Sequence, residues 1–187
     1  MPRTTRAPSL LRLDAHDDEK NVIAVIETPK RTRTKLAFDG EREAFMVKKV
    51  LPEGMSFPFD FGFIPSTLGE DGDPLDVLVL MDESVPTGTI VPMRLIGVIE
   101  AQQTEKDGTE EENDRLIAVA CVCKLFADVK TLSDLPKAVV EQIEHFFVTY
   151  NQEEGKRFKP VGRHGRKRAK DLVTKGLAKY RRKGGGR

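Results

Sequence analysis

An α+β fold is what the order of elements predicts, because runs of strand length fill the first two-thirds of the sequence and helical periodicity is confined to the last third. Three observations carry that expectation. Residues 22–26 (VIAVI) and 77–81 (VLVLM) are continuous apolar runs of the kind found in strands buried on both faces. Residues 90–100 form a longer apolar-rich stretch with Pro92 and Gly97 inside it, which reads as a strand pair or one bent strand. After residue 134 the period changes, and Val139, Val140, Ile143, Phe146, Phe147 and Tyr150 recur at helical spacing behind Asp134-Leu135-Pro136, with Pro in the first turn.

Taken in order, residues 1–20 mix Pro, Thr, Arg and Asp without periodicity and are expected to form a flexible arm. The strand at 22–26 ends in Glu27, and Lys30, Arg31, Arg33 and Lys35 follow in a basic connection that reads by itself as a solvated hairpin. Residues 44–50 form a further strand ending in Lys48 and Lys49. In residues 57–63 (FPFDFGF) the aromatics alternate, so an extended backbone would put all four on one face, as core. Residues 102–114 read as a polar, acidic loop, and residues 115–124 as a strand. His145 lies between apolar neighbours and reads as a structural histidine. In the tail, Ala169, Leu172, Val173, Gly176, Leu177 and Tyr180 make a narrow apolar stripe among cations, which predicts a helix packed on the body before a flexible terminus. The expected domains are an arm at 1–20, a body at 21–160 and a basic helix and tail at 161–187.

Charged residues are 33% and hydrophobic residues 39% of the 187, and no apolar run approaches the roughly 18 needed to span a bilayer. A soluble, cytoplasmic protein with no membrane segment is expected. Cys121 and Cys123 lie two apart, on one face if the segment is a strand, and read as reduced core thiols. The net charge of +1 is divided unevenly: residues 156–187 carry fourteen Lys and Arg against the single acid Asp171, hence +13, and the preceding 155 residues carry −12. Such a tail suits nucleic acid or an acidic partner; no recognition motif accompanies it, and a solvated face complementing the acidic body is the commoner explanation.

Residues 71–77 (DGDPLDV) concentrate three carboxylates, Asp71, Asp73 and Asp76, on a Gly/Pro loop before the strand at 77–81. Like charges at this density repel unless a cation offsets them, and a hard, oxygen-seeking ion such as Mg2+ suits the ligand type; a solvated turn is the competing reading, since Asp, Gly and Pro are ordinary loop residues. An EF-hand is excluded, since it places acids at loop positions one, three and five, and here they fall at one, three and six.

The string DGDPLDV resembles the signature of the family I soluble inorganic pyrophosphatases. VIETPK at 25–30, Lys35, FPFDFGFIPSTL at 57–68, LIGVIE at 95–100 and DLPKAVVEQIEHFFVTY at 134–150 are similar to that family in order and spacing, over roughly residues 21–159. The resemblance implies a five-stranded antiparallel OB-like β-barrel with helices packed outside. It also implies Mg2+-dependent hydrolysis of pyrophosphate to two phosphates, in a homo-oligomer that in bacterial members is commonly a hexamer. Carried over residue by residue, Asp71, Asp76 and Glu27 would bind metal, and Asp73 would orient the attacking water and accept its proton. Lys35, Lys49, Arg115 and Tyr150 would bind phosphate; core packing is the competing reading of Tyr150.

Departures from the family pattern are equally definite. Ala37 and Asn151 stand where the family has a glutamate and a lysine, Phe57 and Phe61 where it has tyrosines, and Gln103 and Asn113 where it has metal-binding acids. Asp107, Glu110, Glu111, Glu112 and Asp114 are the nearby acids that a shift of register would bring into play. Two readings follow: a Mg2+-dependent pyrophosphatase of reduced activity, or a catalytically impaired pyrophosphatase-fold protein binding phosphate-rich or acidic partners.

Overall fold

Nine strands and two helices make up the computed structural model, which describes residues 9–184. In chain order they are β1 (Val22–Thr28), β2 (Thr34–Asp39), β3 (Ala44–Val50), β4 (Asp60–Phe63), β5 (Asp76–Leu80), β6 (Ile90–Thr104), β7 (Glu110–Glu112), β8 (Arg115–Ala120), α1 (Lys137–Gln152), β9 (Arg157–Gly165) and α2 (Arg166–Arg182). Strands pair in the order β1-β4-β5-β8-β6, and β6 pairs again with β1, so five strands form a closed ring. This is the α+β, OB-like arrangement expected. Every contact in the ring is antiparallel except β5 with β8, which run parallel.

Burial explains why these strands read as unbroken apolar runs. Every residue of β8 and all but the first of β1 and of β5 are buried, because the ring fills its own interior and is covered outside. Residues 90–100 belong to one bent strand, β6, which pairs in turn with β1, β8, β9 and β7. Its register against β8 slips between Leu95 and Gly97, and at Gly97 a Cβ would lie 2.5 Å from the His164 carbonyl oxygen and 2.8 Å from Leu132 Cβ. The expected polar loop at 102–114 is largely a hairpin, β6 running on to Thr104 and returning as β7.

The helices cover the ring. Pro136 immediately precedes α1, whose Val140, Ile143 and Phe147 are buried, and α2 docks through Ala169, Val173 and Gly176. His145, expected as a structural histidine, is exposed on α1, two positions from each of the buried Ile143 and Phe147. β8 ends at Ala120; the cysteines therefore lie in the turn beyond it, Cys123 buried and Cys121 exposed, both free. The four-phenylalanine face is also incomplete. β4 starts only at Asp60, and Phe59 turns away to pack on Phe126, at 6.5 Å between ring centroids.

Of the expected arm, residues 1–8 lie outside the described residues, as do 185–187 of the tail. Residues 9–20 are tied to the body: Ala15 is buried and its carbonyl accepts the Ile23 N–H, and the Leu11 carbonyl accepts the Ser66 N–H. The boundary expected between 160 and 161 falls inside β9, which pairs with β6 along its length. Ladder hydrogen bonds across that point join the basic C-terminal segment to the ring. Among the described residues, no helix is long and apolar enough to cross a membrane.

Candidate active site

A cleft of about 330 Å3 opens where β1, β2, β4 and β5 meet α1, lined by Glu27, Lys35, Asp73, Asp76, Arg115 and Tyr150 together with Lys48, Ala37 and several phenylalanines. Glu27 is buried one residue before the end of β1. Its Oε1 accepts the Phe38 N–H at 2.7 Å and its Oε2 lies 3.3 Å from Lys35 Nζ. Burial pushes the Glu27 carboxyl up, and the Lys35 charge and the Phe38 N–H oppose this. Lys35 Nζ in turn sits 4.1 Å from the centroid of the Phe61 ring.

Between β2 and β3 the register slips: Lys35 lies opposite Lys49, but Leu36 lies opposite Val47. Lys48 is therefore the extra residue of a β-bulge, and bulges re-aim side chains. Lys48 lines the cleft. Lys49, the expected phosphate ligand, does not. Its Nζ is 2.8 Å from Glu154 Oε1 and 3.3 Å from the Tyr150 ring centroid, and burial lowers its pKa against the pull of Glu154.

The acidic loop turns through Gly72, at φ +92°, and Asp71 Oδ1 accepts the Asp73 N–H at 3.0 Å. Asp73 faces the cleft; burial raises its pKa, and Asp71 and Asp76 raise it further. Asp76 opens β5 and is raised by burial, with Arg115 and Lys35 opposing. Asp71 is placed differently from its partners. It lines a narrow crevice of about 50 Å3 between the loop, β7 and α2, which Asp76, Asn113 and Arg115 also border.

Arg115 NH1 lies 2.8 Å from Asp76 Oδ2, and its guanidinium stacks 5.0 Å from the Phe147 ring centroid. Gln103 and Asn113 do come together with it: Arg115 NH1 donates to Asn113 Oδ1, and Asn113 Nδ2 donates to Gln103 Oε1 at 2.8 Å. Of the acids in residues 102–114, Glu112 and Asp114 border the crevice and none lines the cleft. Tyr150 ends the α1 stripe, its ring 5.8 Å from Phe57 and 5.6 Å from Phe146, and burial raises its hydroxyl pKa. It is packed as core and also borders the cleft.

The all-oxygen, like-charged donor set of Asp71, Asp73 and Asp76 suits a hard divalent cation, which would offset the repulsion by which Asp71 adds to the raised pKa of Asp73 and of Asp76. Among the described residues, however, no three acidic, His or Cys side chains are gathered in a metal-holding cluster. Three contributors escaped the sequence reading. Lys48 was indistinguishable from Lys49 without the bulge. Leu11 lines the cleft from a segment with no periodicity, and nothing in the sequence marked it. Asp60 is buried and accepts from Lys30 N, Ser84 Oγ and Val85 N, which anchors the connection leading to Lys35; a lone acid within an aromatic run was the available signal.

Comparison with known proteins gives a consistent picture. The family model for inorganic pyrophosphatase matches residues 24–181. The inorganic pyrophosphatase of Halalkalibacterium halodurans is 35% identical over 164 residues, covering 88% of this chain and 98% of that one. That of Helicobacter pylori is 34% identical over 175 residues, covering 92% and 98%. The crystal structure of inorganic pyrophosphatase from Thermus thermophilus superposes with a TM-score of 0.84 at 33% identity, over 93% of this chain and 99% of that one.

Proposed function

The chain belongs to the inorganic pyrophosphatase family, and from that premise we propose that it hydrolyses inorganic pyrophosphate to two phosphates with Mg2+ held at the acidic loop. The observation that carries the proposal is the convergence of Glu27, Asp73 and Asp76 with Lys35, Lys48 and Arg115 in one cleft. Pyrophosphate resists attack because a nucleophile must approach anionic oxygens. The cations along the cleft offset that charge.

Asp71, Asp76 and Glu27 would hold Mg2+, which when bound screens the substrate and makes a water more acidic. Asp73 would orient that water and take its proton. A carboxylate held above its ordinary pKa is a stronger base than a free one, and burial beside Asp71 and Asp76 supplies that shift. Lys35, steered by Glu27 and the Phe61 ring, presents a point charge to one phosphate. Lys48 and Arg115 serve the rest of the anion; Tyr150 offers a hydroxyl that stays protonated. Lys49 acts from behind, through the Tyr150 ring that it caps.

Phosphate release from pyrophosphate tests this directly, run with Mg2+, without it, and with Asp73→Asn. Release that requires the metal and drops about 100-fold to 10,000-fold in the variant is expected. Wild-type release no higher than that of Asp73→Asn would sink the catalytic reading. The reading left standing would be an impaired pyrophosphatase-fold protein that binds phosphate-rich or acidic partners, which the neutral Gln103–Asn113 pair favours. Assembly into a homo-oligomer in the cytoplasm is part of the proposal, supported by the apolar Val47 and Val50 left more than 60% exposed on β3.

A further inference from the structure

Arg115 is already engaged in this structure, and the groups that engage it form a chain with one allowed direction. Gln103 Nε2 donates to Glu105 Oε1 at 2.6 Å, and Lys156 Nζ lies 2.8 Å from the other oxygen of that carboxylate. A carboxylate only accepts, so Gln103 must turn its amide nitrogen toward Glu105 and its oxygen toward Asn113. Asn113 must then donate its Nδ2 to Gln103 and turn its own oxygen to Arg115, which only donates. Both amide orientations are fixed from the two ends. An aspartate at 113 could not donate to Gln103, so the amide is required for the chain to close.

The far end of the chain is the guanidinium on Asp76. Arg115 is 6% exposed, its NH1 is shared by Asp76 Oδ2, Asn113 Oδ1 and the Asp114 carbonyl oxygen, and Phe147 and Phe158 cover its carbon. Its Nε is buried with no hydrogen-bond partner, so one donor is unspent. Asp76 thus has its charge met by a side chain of its own protein, while the described acids form no metal-holding cluster.

We propose that the Arg115 guanidinium is a resident counter-ion that competes with a divalent cation for Asp76, and that the Asn113–Gln103–Glu105 relay holds it there. This rests on the reading that the acidic loop takes a divalent cation. Cation binding at Asp76 and the Arg115 pairing exclude one another, so each weakens the other by the same factor. Once displaced, Arg115 has its NH1 and its Nε–H to offer to a phosphate oxygen, which couples loading of the cation to readiness for the anion.

The test is Mn2+ binding by the substrate-free protein, read from the electron paramagnetic signal of free Mn2+. Arg115→Met is expected to bind on the order of tenfold more tightly than wild type. Lys35→Met, which removes a neighbouring charge outside the relay, is expected to change affinity less. Gln103→Leu, which cuts the relay and keeps every charge, is expected to tighten binding by a smaller factor than Arg115→Met. Affinity in Arg115→Met equal to or below wild type, or no greater a gain than in Lys35→Met, overturns the competition. Unchanged affinity in Gln103→Leu overturns the role of the relay.

Should Arg115→Met fail to fold, wild type decides. The arginine Nε–H nuclear magnetic resonance that is missing from the folded Arg115→Lys variant should shift when Mg2+ is added without phosphate. A stationary signal at saturating Mg2+ overturns the proposal. Wild type that binds no Mn2+ overturns it together with the metal reading, whereas Mn2+ binding of equal strength in wild type and Arg115→Met removes this proposal alone.

Discussion

The Phe57 ring is 1% exposed, and its centroid lies 4.9 Å from Phe146 and 5.7 Å from Phe61. These three aromatic rings thus make both a core layer and the wall behind Lys35 and Tyr150. Phe57→Ala is expected to cost about 3–5 kcal/mol by opening a cavity in that layer, read as a lower urea midpoint with an unchanged slope. A loss under about 1 kcal/mol would mean that the layer collapses to fill the space. At this scale, six of the eight site residues that the sequence singled out line one cleft. Glu27, Lys35, Asp73, Asp76, Arg115 and Tyr150 share the cleft although they stand on β1, β2, the acidic loop, β5, β8 and α1, because those elements converge there. Lys49 and Asp71 face elsewhere. A one-residue bulge in β3 and a left-handed turn at Gly72 set their direction; the bulge leaves no trace in residue identity, and the glycine marks the turn without telling where Asp71 points.

Helix α2 is fastened under the acidic loop. Lys175 and Lys179 each lie within 2.9 Å of a Glu70 oxygen, Lys179 also donates to the Gly69 carbonyl, and Gly176 packs against Leu75. The two ammonium groups hold the Glu70 carboxyl down, from 4.5 to about 2. With the folded pKa depressed, the stability from this clamp is present above pH 4.5 and is lost as pH falls toward about 2. Glu70→Gln should therefore unfold at lower urea than wild type near pH 6, with the gap narrowing below about pH 4. A gap independent of pH would show that the clamp stabilises by packing. Strand β6 was legible as apolar and bent; its four partners were not, since pairing is a property of register.

Over the whole molecule, the division of charge between body and tail is answered in the fold. Lys156 meets Glu105, Arg163 meets Glu144, Arg168 meets Glu100, and Lys175 and Lys179 meet Glu70. These pairs fit the solvated, complementary face better than a free nucleic-acid surface, although each exposed pair contributes only about 0–1 kcal/mol. The proposed assembly is a whole-molecule property too. Sedimentation velocity at micromolar concentration should show a species larger than the 20.9 kDa chain, and Val47→Lys should shift it toward the monomer. A wild-type monomer under those conditions would remove oligomerisation from the proposal.

The sequence by itself determined the class of fold, the family and most of the charged side chains that line the cleft. Apolar runs, helical spacing and the DGDPLDV loop are local patterns that depend on neighbours in the chain. Tertiary structure alone decided that β5 and β8 run parallel, that five of the C-terminal cations pair with acids of the body, and that Gln103, Asn113 and Arg115 act as one chain ending on Asp76. Each of these joins groups from separate elements. Their distances are fixed by how the ring closes, and the order of residues along any one strand does not encode that closure.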